Sequence, residues 1–289
     1  MSLRKAASTP CIGPIDNAVF HTPQAHRRLV SSSDTETASI ESIPVEQLKV
    51  RFDIITTRVV QEKLHKYVVY MIIVMEVPQL DRDGAVIERR YNDFLNLHQG
   101  LKKECPEAVR HLPFPKKVLF TKSLNDSIIK VRSRQFQKYL RYIYHQPRVK
   151  DCKSFKEFFY LPHLRSATMS LRYENYPVSY ENYKLAMHLQ RKLQVDEDEL
   201  IYTICSLVEV CRSQRKYEEA DSLASDALDR LQYDPKQIWL LPLLKATLEV
   251  RKKLLVSSTW LRDKVIECEN MNTGDQDVTL RELAVKYKC

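Results

Sequence analysis

The sequence predicts an α+β protein: a three-stranded antiparallel sheet with a helical subdomain, followed by an all-α domain. Two observations predict this class. Three short runs rich in β-branched and aromatic residues lie between positions 48 and 91, and beyond them the apolar residues recur at helical spacing. Only four glycines occur in 289 residues, which argues against an all-β sandwich and favours helix.

Each predicted strand has its own signal. Apolar and polar residues alternate over Leu48–Ile54, as in a half-buried strand, and Lys66–Val77 has the composition of a central strand. Asp81–Gly84 ends in the Asp-Gly dipeptide that favours tight turns, so Ala85–Tyr91 is expected to return as the third strand.

Helices are predicted to follow the sheet. The first should be capped by Asn92 or Asp93, and a proline-marked loop, Leu112–Phe120, separates it from a long helix that begins near Asn125 or Asp126. A short aromatic helix is expected to close the unit, marked by Phe155, Phe158 and Phe159.

No strand is predicted beyond Leu164, and two segments there repeat one another at an offset of 41 residues. Tyr176, Ser179, Tyr183, Ala186 and Met187 match Tyr217, Ala220, Ala224, Ala227 and Leu228. These positions share one helical face, where small residues let helices approach closely. Further amphipathic helices are expected over Glu199–Cys211, Ile238–Leu255 and Trp260–Asn270. The pattern predicts helical hairpins of tetratricopeptide character.

These signals divide the chain into a disordered tail (1–45), an α+β domain (46–164) and a helical domain (168–289). The charge is uneven: residues 46–165 carry 24 Lys and Arg against 13 Asp and Glu, whereas residues 166–289 carry 18 against 20. The middle domain therefore holds the positive excess and is expected to bind an anionic partner, with solubility alone as the other interpretation.

Composition and motifs disfavour several function classes. We find no GxSxG, GxxxxGK[ST] or HExxH motif, so we expect no catalytic residue, no metal and no cofactor. Seven scattered cysteines without a CxxC pair indicate reduced thiols in a cytosolic protein. A nucleic-acid partner is also not expected, because Tyr67 and Tyr70 lie within apolar runs and are interpreted as core.

The segment Arg89–Phe94 carries the strongest functional signal, because it ends a strand and opens a helix. A phosphate near such a junction meets guanidinium groups and the free N–H groups of the helix start together. Arginine suits phosphate because its planar fork donates two parallel hydrogen bonds, and Tyr91 can offer its ring to the apolar face of a sugar-like ligand. A salt bridge from Arg90 to Glu88 or Asp93, and Tyr91 as simple core, are the competing interpretations.

The segment RRYNDFLNLH resembles the signature of phosphoinositide-binding PX domains, and the resemblance runs from about 48 to 164. It implies that Arg90 pairs with the 3-phosphate, that Tyr91 packs under the inositol ring, that Lys117 holds the 1-phosphate and that Arg132 bonds the 4- and 5-hydroxyls. Arg134 is a nearby alternative to Arg132. The loop departs from the family pattern, because only one residue separates its two prolines.

The same loop is expected to touch the bilayer. Its apolar residues would enter the interface while neighbouring lysines meet anionic lipid; these residues are Phe114, Val118, Leu119 and Phe120. The alternative is that Phe114 and Phe120 merely pack beneath the loop.

The whole chain resembles a branch of sorting nexins in which a PX domain precedes a tetratricopeptide-like domain. This resemblance implies a non-catalytic adaptor in the cytoplasm that binds phosphatidylinositol 3-phosphate on early endosomes and recruits a cargo or receptor protein through its helical domain. A scaffold whose PX-like domain binds no lipid keeps the same fold and is the alternative.

Overall fold

The computed structural model describes most of the chain beyond residue 49, with short gaps. The described ranges are 50–62, 65–77, 84–118, 124–234, 236–271 and 278–286. The predicted disordered tail and most of the predicted Asp81–Gly84 turn lie outside them.

The predicted three-stranded antiparallel sheet is confirmed. Its strands are β1 (Val50–Glu62), β2 (His65–Glu76) and β3 (Ala85–Arg90), in the order β1-β2-β3. The pairing of β2 with β3 ends at Val69 opposite Arg90, whereas β1 and β2 stay paired as far as Glu62 opposite His65. The first residues of β2 therefore extend past the end of β3.

Strand β3 ends at Arg90, one residue earlier than predicted, and the chain turns from strand to helix at Tyr91. The first helix, α1, spans Tyr91–Glu104, and its N-cap is Arg90 rather than Asn92 or Asp93. The Asp93 carboxylate instead accepts a hydrogen bond from the Arg90 backbone N–H at 2.8 Å. An acidic side chain in the first turn of a helix also interacts favourably with the positive end of the helix dipole, and this interaction stabilises the junction.

The remaining elements of this half follow the predicted order. They are α2 (Pro106–Val109), an irregular loop, α3 (Asp126–His145), a 3-10 turn (Val149–Asp151) and α4 (Lys153–Arg172). The predicted start of the long helix is confirmed, because the Asn125 side chain accepts a hydrogen bond from the Ser127 N–H at 2.9 Å.

An aromatic core fixes α1 and α3 against the sheet. Phe94 of α1 and Phe136 of α3 stack with ring centroids 3.8 Å apart, and Tyr70 of β2 meets both rings edge-on. All three side chains are fully buried. Burial of such rings contributes roughly 1.5–3 kcal/mol each, so this cluster is a main source of stability for the α+β half.

Helix α4 is far longer than the short aromatic helix that the sequence predicted. It runs without a break through the expected boundary between the two domains, although Pro162 lies inside it. Proline has no N–H to donate to the carbonyl four residues earlier, so the Phe158 carbonyl has no hydrogen-bond donor within the helix. The described residues of both halves fall within one compact unit.

The buried side chain of Arg89 supplies the missing donor. Its Nε donates to the Phe158 carbonyl and its Nη2 to the Phe159 carbonyl, both at 2.7 Å. Burial lowers the pKa of Arg89 to about 10, so the guanidinium remains charged at neutral pH. This one side chain ties the end of β3 to α4.

The helical half consists of antiparallel hairpins. Its helices are α5 (Tyr176–Lys192), α6 (Glu197–Ser213), α7 (Tyr217–Leu231), α8 (Leu240–Lys253), α9 (Thr259–Met271) and α10 (Leu280–Lys286). The predicted repeat falls on α5 and α7, which begin at Tyr176 and Tyr217. The prediction that Glu199–Cys211 is amphipathic is wrong: α6 is buried on every side from Leu200 to Cys211, because it lies at the centre of the stack.

The short helix α10 packs back onto α4, α6 and α8, the first helices of the three hairpins. The Tyr202 hydroxyl donates to the Ala284 carbonyl at 3.2 Å, and Arg172 donates to the Val285 carbonyl at 2.6 Å. The chain's own C-terminal helix therefore covers part of the face that these helices share. Within the described residues, no helix combines the length and the apolar character that crossing a bilayer requires.

The Arg89 contacts predict a large stability difference between two arginines of the sheet. Arg89→Met should lower the free energy of unfolding by about 3 kcal/mol, because it leaves buried carbonyls without a donor. Arg58→Met, which removes an exposed pair with Glu88, should cost at most about 1 kcal/mol. Urea unfolding of both variants checks this, and equal losses would show that Arg89 is not a structural link.

Candidate functional site

A cavity of about 220 Å³ opens at the end of β3. It lies between the start of α1, the loop that follows α2, the first residues of β2 and helix α3. It contains every residue that the sequence predicted to bind a headgroup. Its lining residues are Lys66, Tyr67, Val68, Tyr70, Arg90, Tyr91, Asn92, Lys117, Val118 and Arg132.

Arg90 projects into this cavity because strand residues alternate between the two faces of a sheet. Its neighbour Arg89 is buried against α4, so Arg90 must point the other way, and half of its side chain is exposed. The predicted competing salt bridge to Asp93 exists but is long, with 3.8 Å between Nε and the carboxylate. The guanidinium carbon also lies 5.7 Å from the centre of the Tyr67 ring. Arg90 therefore keeps donors available to a ligand.

Tyr91 connects the helix start to the loop. Its hydroxyl donates to the Pro115 carbonyl at 2.8 Å, and its ring meets Phe114 edge-on with 6.0 Å between centroids. Burial raises the pKa of Tyr91, and the charge of Arg132 opposes that rise. The hydroxyl therefore stays protonated and available as a donor to the loop.

Arg132 is the buried cation of the site. Its Nη2 donates to the Lys116 carbonyl at 3.1 Å, and its guanidinium carbon lies 4.7 Å above the Tyr91 ring. Arg134, the alternative that the sequence left open, is exposed and does not line the cavity. Burial raises the pKa of the neighbouring Tyr70, and the nearby charge of Arg132 partly offsets that rise.

The loop residues divide between cavity and core. Lys117 and Val118 line the cavity, and the Lys117 side chain is exposed. Phe114, predicted to enter a membrane, instead stacks on His98 at 4.5 Å and meets Tyr139 edge-on. This packing favours the alternative that Phe114 packs beneath the loop, because insertion into a membrane would require it to leave these ring contacts. Leu119 and Phe120 lie outside the described residues.

The site is strongly cationic. Four of its lining residues carry a positive charge, and of the lining residues that the structure describes none is acidic. Like charges held close together repel one another, and a bound dianion such as a phosphate ester relieves that repulsion. The arrangement is therefore suited to binding a phosphorylated ligand whose ring lies near Tyr91.

Sequence reasoning missed Lys66 and Tyr67, which form one wall of the cavity. Both were predicted to lie in the central strand, and Tyr67 was interpreted as core. The signal was present in the predicted strand lengths: Lys66–Val77 is longer than Ala85–Tyr91, so the first residues of β2 had to extend past the end of β3 in an antiparallel pair. Tyr70, interpreted as core, is core and also reaches the cavity.

Several known proteins resemble this chain in sequence. Residues 81–162 match the family model of the PX domain, a range that includes Arg90, Tyr91, Lys117 and Arg132 but not β1 or β2. Sorting nexin-20 of Rattus norvegicus is 26% identical over 278 residues, which cover 96% of this chain and 88% of that protein. Sorting nexin-21 of Mus musculus is 29% identical over 206 residues, which cover 70% of this chain and 56% of that protein.

Among solved structures, the X-ray structure of a designed CISK-PX domain is 28% identical to the matching part of this chain. The match covers 37% of this chain and 96% of that domain, with a TM-score of 0.32. The predicted resemblance to PX-domain sorting nexins is confirmed by the family and sequence matches, and these matches indicate no enzyme family. The chain contains a PX domain and is homologous to sorting nexin-20 and sorting nexin-21 over most of its length.

Proposed function

We propose that this chain is a non-catalytic adaptor that binds phosphatidylinositol 3-phosphate on the cytoplasmic side of early endosomes and recruits a cargo or receptor protein through its helical half. The PX domain and the homology to sorting nexins imply the coarser function, a phosphoinositide-binding trafficking adaptor. The observation that carries the finer proposal is the cationic cavity, with Arg90, Lys117 and Arg132 around Tyr91.

The contacts of each cation suit it to a different part of the headgroup. Arg90 is half exposed and only loosely paired, so its planar fork can turn to the 3-phosphate. Arg132 is buried and already held by the Lys116 carbonyl and the Tyr91 ring, which suits it to the uncharged 4- and 5-hydroxyls. Lys117 is exposed at the mouth and would meet the 1-phosphate that joins headgroup to glycerol. Tyr91 would support the inositol ring.

The loop would add a weaker, less specific contact. Val118, together with Leu119 and Phe120, would enter the interface, whereas Phe114 would stay in the core. Each lysine near an anionic surface contributes about 1 kcal/mol, so Lys116 and Lys117 would lengthen the residence time of the bound protein. We propose attachment through headgroup and loop together, because a single weak contact gives only transient binding.

Protein recruitment is assigned to the helical half. Its charge as a whole is close to neutral, with 18 Lys and Arg against 20 Asp and Glu beyond residue 165, so most of its surface fits a protein partner better than lipid. The face that α4, α6 and α8 share is partly covered by α10, so a partner would dock on another face or in place of α10.

The role of Arg90 is tested by flotation with liposomes that contain phosphatidylinositol 3-phosphate. Arg90→Ala should weaken binding at least tenfold, because each charge-assisted hydrogen bond to phosphate contributes roughly 1.5–3 kcal/mol. Arg58→Ala is the matched control, since it removes an exposed arginine of the same sheet outside the cavity. Equal flotation of wild type and Arg90→Ala would contradict the assignment of Arg90 to the headgroup, and no flotation of either would favour the scaffold that binds no lipid.

Variants of two adjacent lysines distinguish headgroup recognition from general attraction to an anionic surface. Lys117 lines the cavity and Lys116 does not, although both are exposed in the same loop. Lys117→Ala should weaken binding to phosphatidylinositol 3-phosphate about tenfold, and Lys116→Ala by no more than about fivefold. Surface plasmon resonance on vesicles with and without the phosphoinositide measures both losses. Identical losses in the two variants would remove Lys117 from the headgroup site.

A further inference from the structure

The two most exposed large apolar side chains among the described residues both lie in turns of the helical half. Leu255 is 93% exposed, in the turn between α8 and α9, and Tyr173 is 79% exposed, in the turn between α4 and α5. Val256, next to Leu255, is also exposed. Each of these turns joins the first helix of a hairpin to the second, so the two turns occupy equivalent places in the repeat.

Leu255 is an unusual residue for its backbone position. The N–H of Val256 bonds to the Arg251 carbonyl at 3.0 Å, and Leu255 has a left-handed φ of 58°, the closing geometry in which glycine is normal. The equivalent left-handed positions of the other two hairpins hold polar residues, Glu174 and Arg215. The left-handed backbone does not favour leucine, and the exposed Leu255 side chain is not stabilised by burial within the chain.

Two lysines stand directly before this exposed apolar tip. Lys252 and Lys253 are exposed, and neither forms an ion pair within the described part of the chain. Arg251, one residue earlier, is held by Asp221. Unpaired lysines beside an aliphatic tip match the surface of an anionic bilayer, whose phosphates attract the cations while its interfacial region accepts the apolar groups.

The direction of α4 places this end of the helical half on the side of the cavity. Gly100, late in α1, lies so close to α4 that an added Cβ would clash with the Ser154 side chain, and the Ser154 N–H also donates to the Glu104 carboxylate at the end of α1. Arg89, which immediately precedes the cap of α1, bonds instead to Phe158 and Phe159. Helix α4 therefore runs antiparallel to α1, from its far end toward the cavity.

Beyond Phe159, α4 continues for about three and a half turns to Arg172, roughly 20 Å at 1.5 Å per residue. Helices α4, α6 and α8 run in the same direction. Helix α5 folds back on α4, α6 folds back on α5, and Arg212 near the end of α6 pairs with Glu249 near the end of α8. The turns that carry Tyr173 and Leu255 follow the C-terminal ends of α4 and α8. Both turns therefore lie at the end of the helical stack that is on the same side as the cavity.

We propose that the turn Lys252–Val256 is a second membrane contact, in which Leu255 and Val256 enter the interface of an anionic bilayer while Lys252 and Lys253 meet its lipid phosphates. This inference rests on the proposed function, since the cavity selects the bilayer that the turn then touches. Two contacts on one rigid chain raise the overall affinity, because the second forms at a high effective concentration.

Leu255→Gly tests the contact without a risk to folding, because glycine suits the left-handed position and should keep or raise the melting temperature. The matched control is Ile238→Gly, which removes an apolar side chain that is 63% exposed in the connection at the opposite end of the stack. Binding of the full chain is measured on vesicles of phosphatidylcholine and phosphatidylserine, with and without phosphatidylinositol 3-phosphate. Leu255→Gly should weaken binding to both about tenfold, and Ile238→Gly should leave it unchanged.

The outcomes separate this inference from the proposed function. If Leu255→Gly binds both vesicles as wild type does while Arg90→Ala loses the phosphoinositide response, the turn does not touch the bilayer and the inference fails alone. A protein partner would then be the occupant of the turn. If Leu255→Gly weakens binding while Arg90→Ala does not, the turn contact stands and the headgroup assignment fails. Equal losses in Leu255→Gly and Ile238→Gly would also overturn the inference, because the position would then not matter.

Discussion

The buried guanidinium of Arg89 is the interaction on which the rest of the structure depends. Pro162 deprives the Phe158 carbonyl of its helical donor, and Arg89 replaces that donor. The bond has two consequences. It joins the sheet to the helix that leads into the helical half, and it fixes the end of β3 so that Arg90 faces the cavity. Two adjacent arginines thus serve stability and binding separately.

The cavity has a fixed part and an adjustable part. Tyr91 and Arg132 are held to the loop by bonds to the Pro115 and Lys116 carbonyls, and Phe114 anchors the same loop in the aromatic core. Arg90 remains half exposed with one long ion pair, and the Lys117 side chain is exposed. A site built this way loses little entropy in its fixed groups when a ligand binds, while its free cations can move onto phosphates.

The sequence was sufficient for the strand order, the long helix, the repeat and four cavity residues, because these depend on periodicity and on a motif of adjacent residues. The sequence was insufficient for features that depend on contacts between residues far apart in the chain. The length of α4 could not be predicted, because Pro162 is tolerated there only through Arg89, 73 positions earlier in the chain. The burial of Phe114 depends on His98 and Tyr139, which lie on two other helices. The wall formed by Lys66 and Tyr67 depends on strand register.

The central claim is that this cavity binds the headgroup, and a nuclear magnetic resonance titration with soluble inositol 1,3-bisphosphate tests it most directly. Backbone amide shifts should change first at Arg90, Tyr91, Lys117 and Arg132, and saturate together. Amides of the helical half should stay unchanged, because the soluble headgroup offers no bilayer to its turns. Saturable shifts centred elsewhere, with these four amides unmoved, would contradict the account.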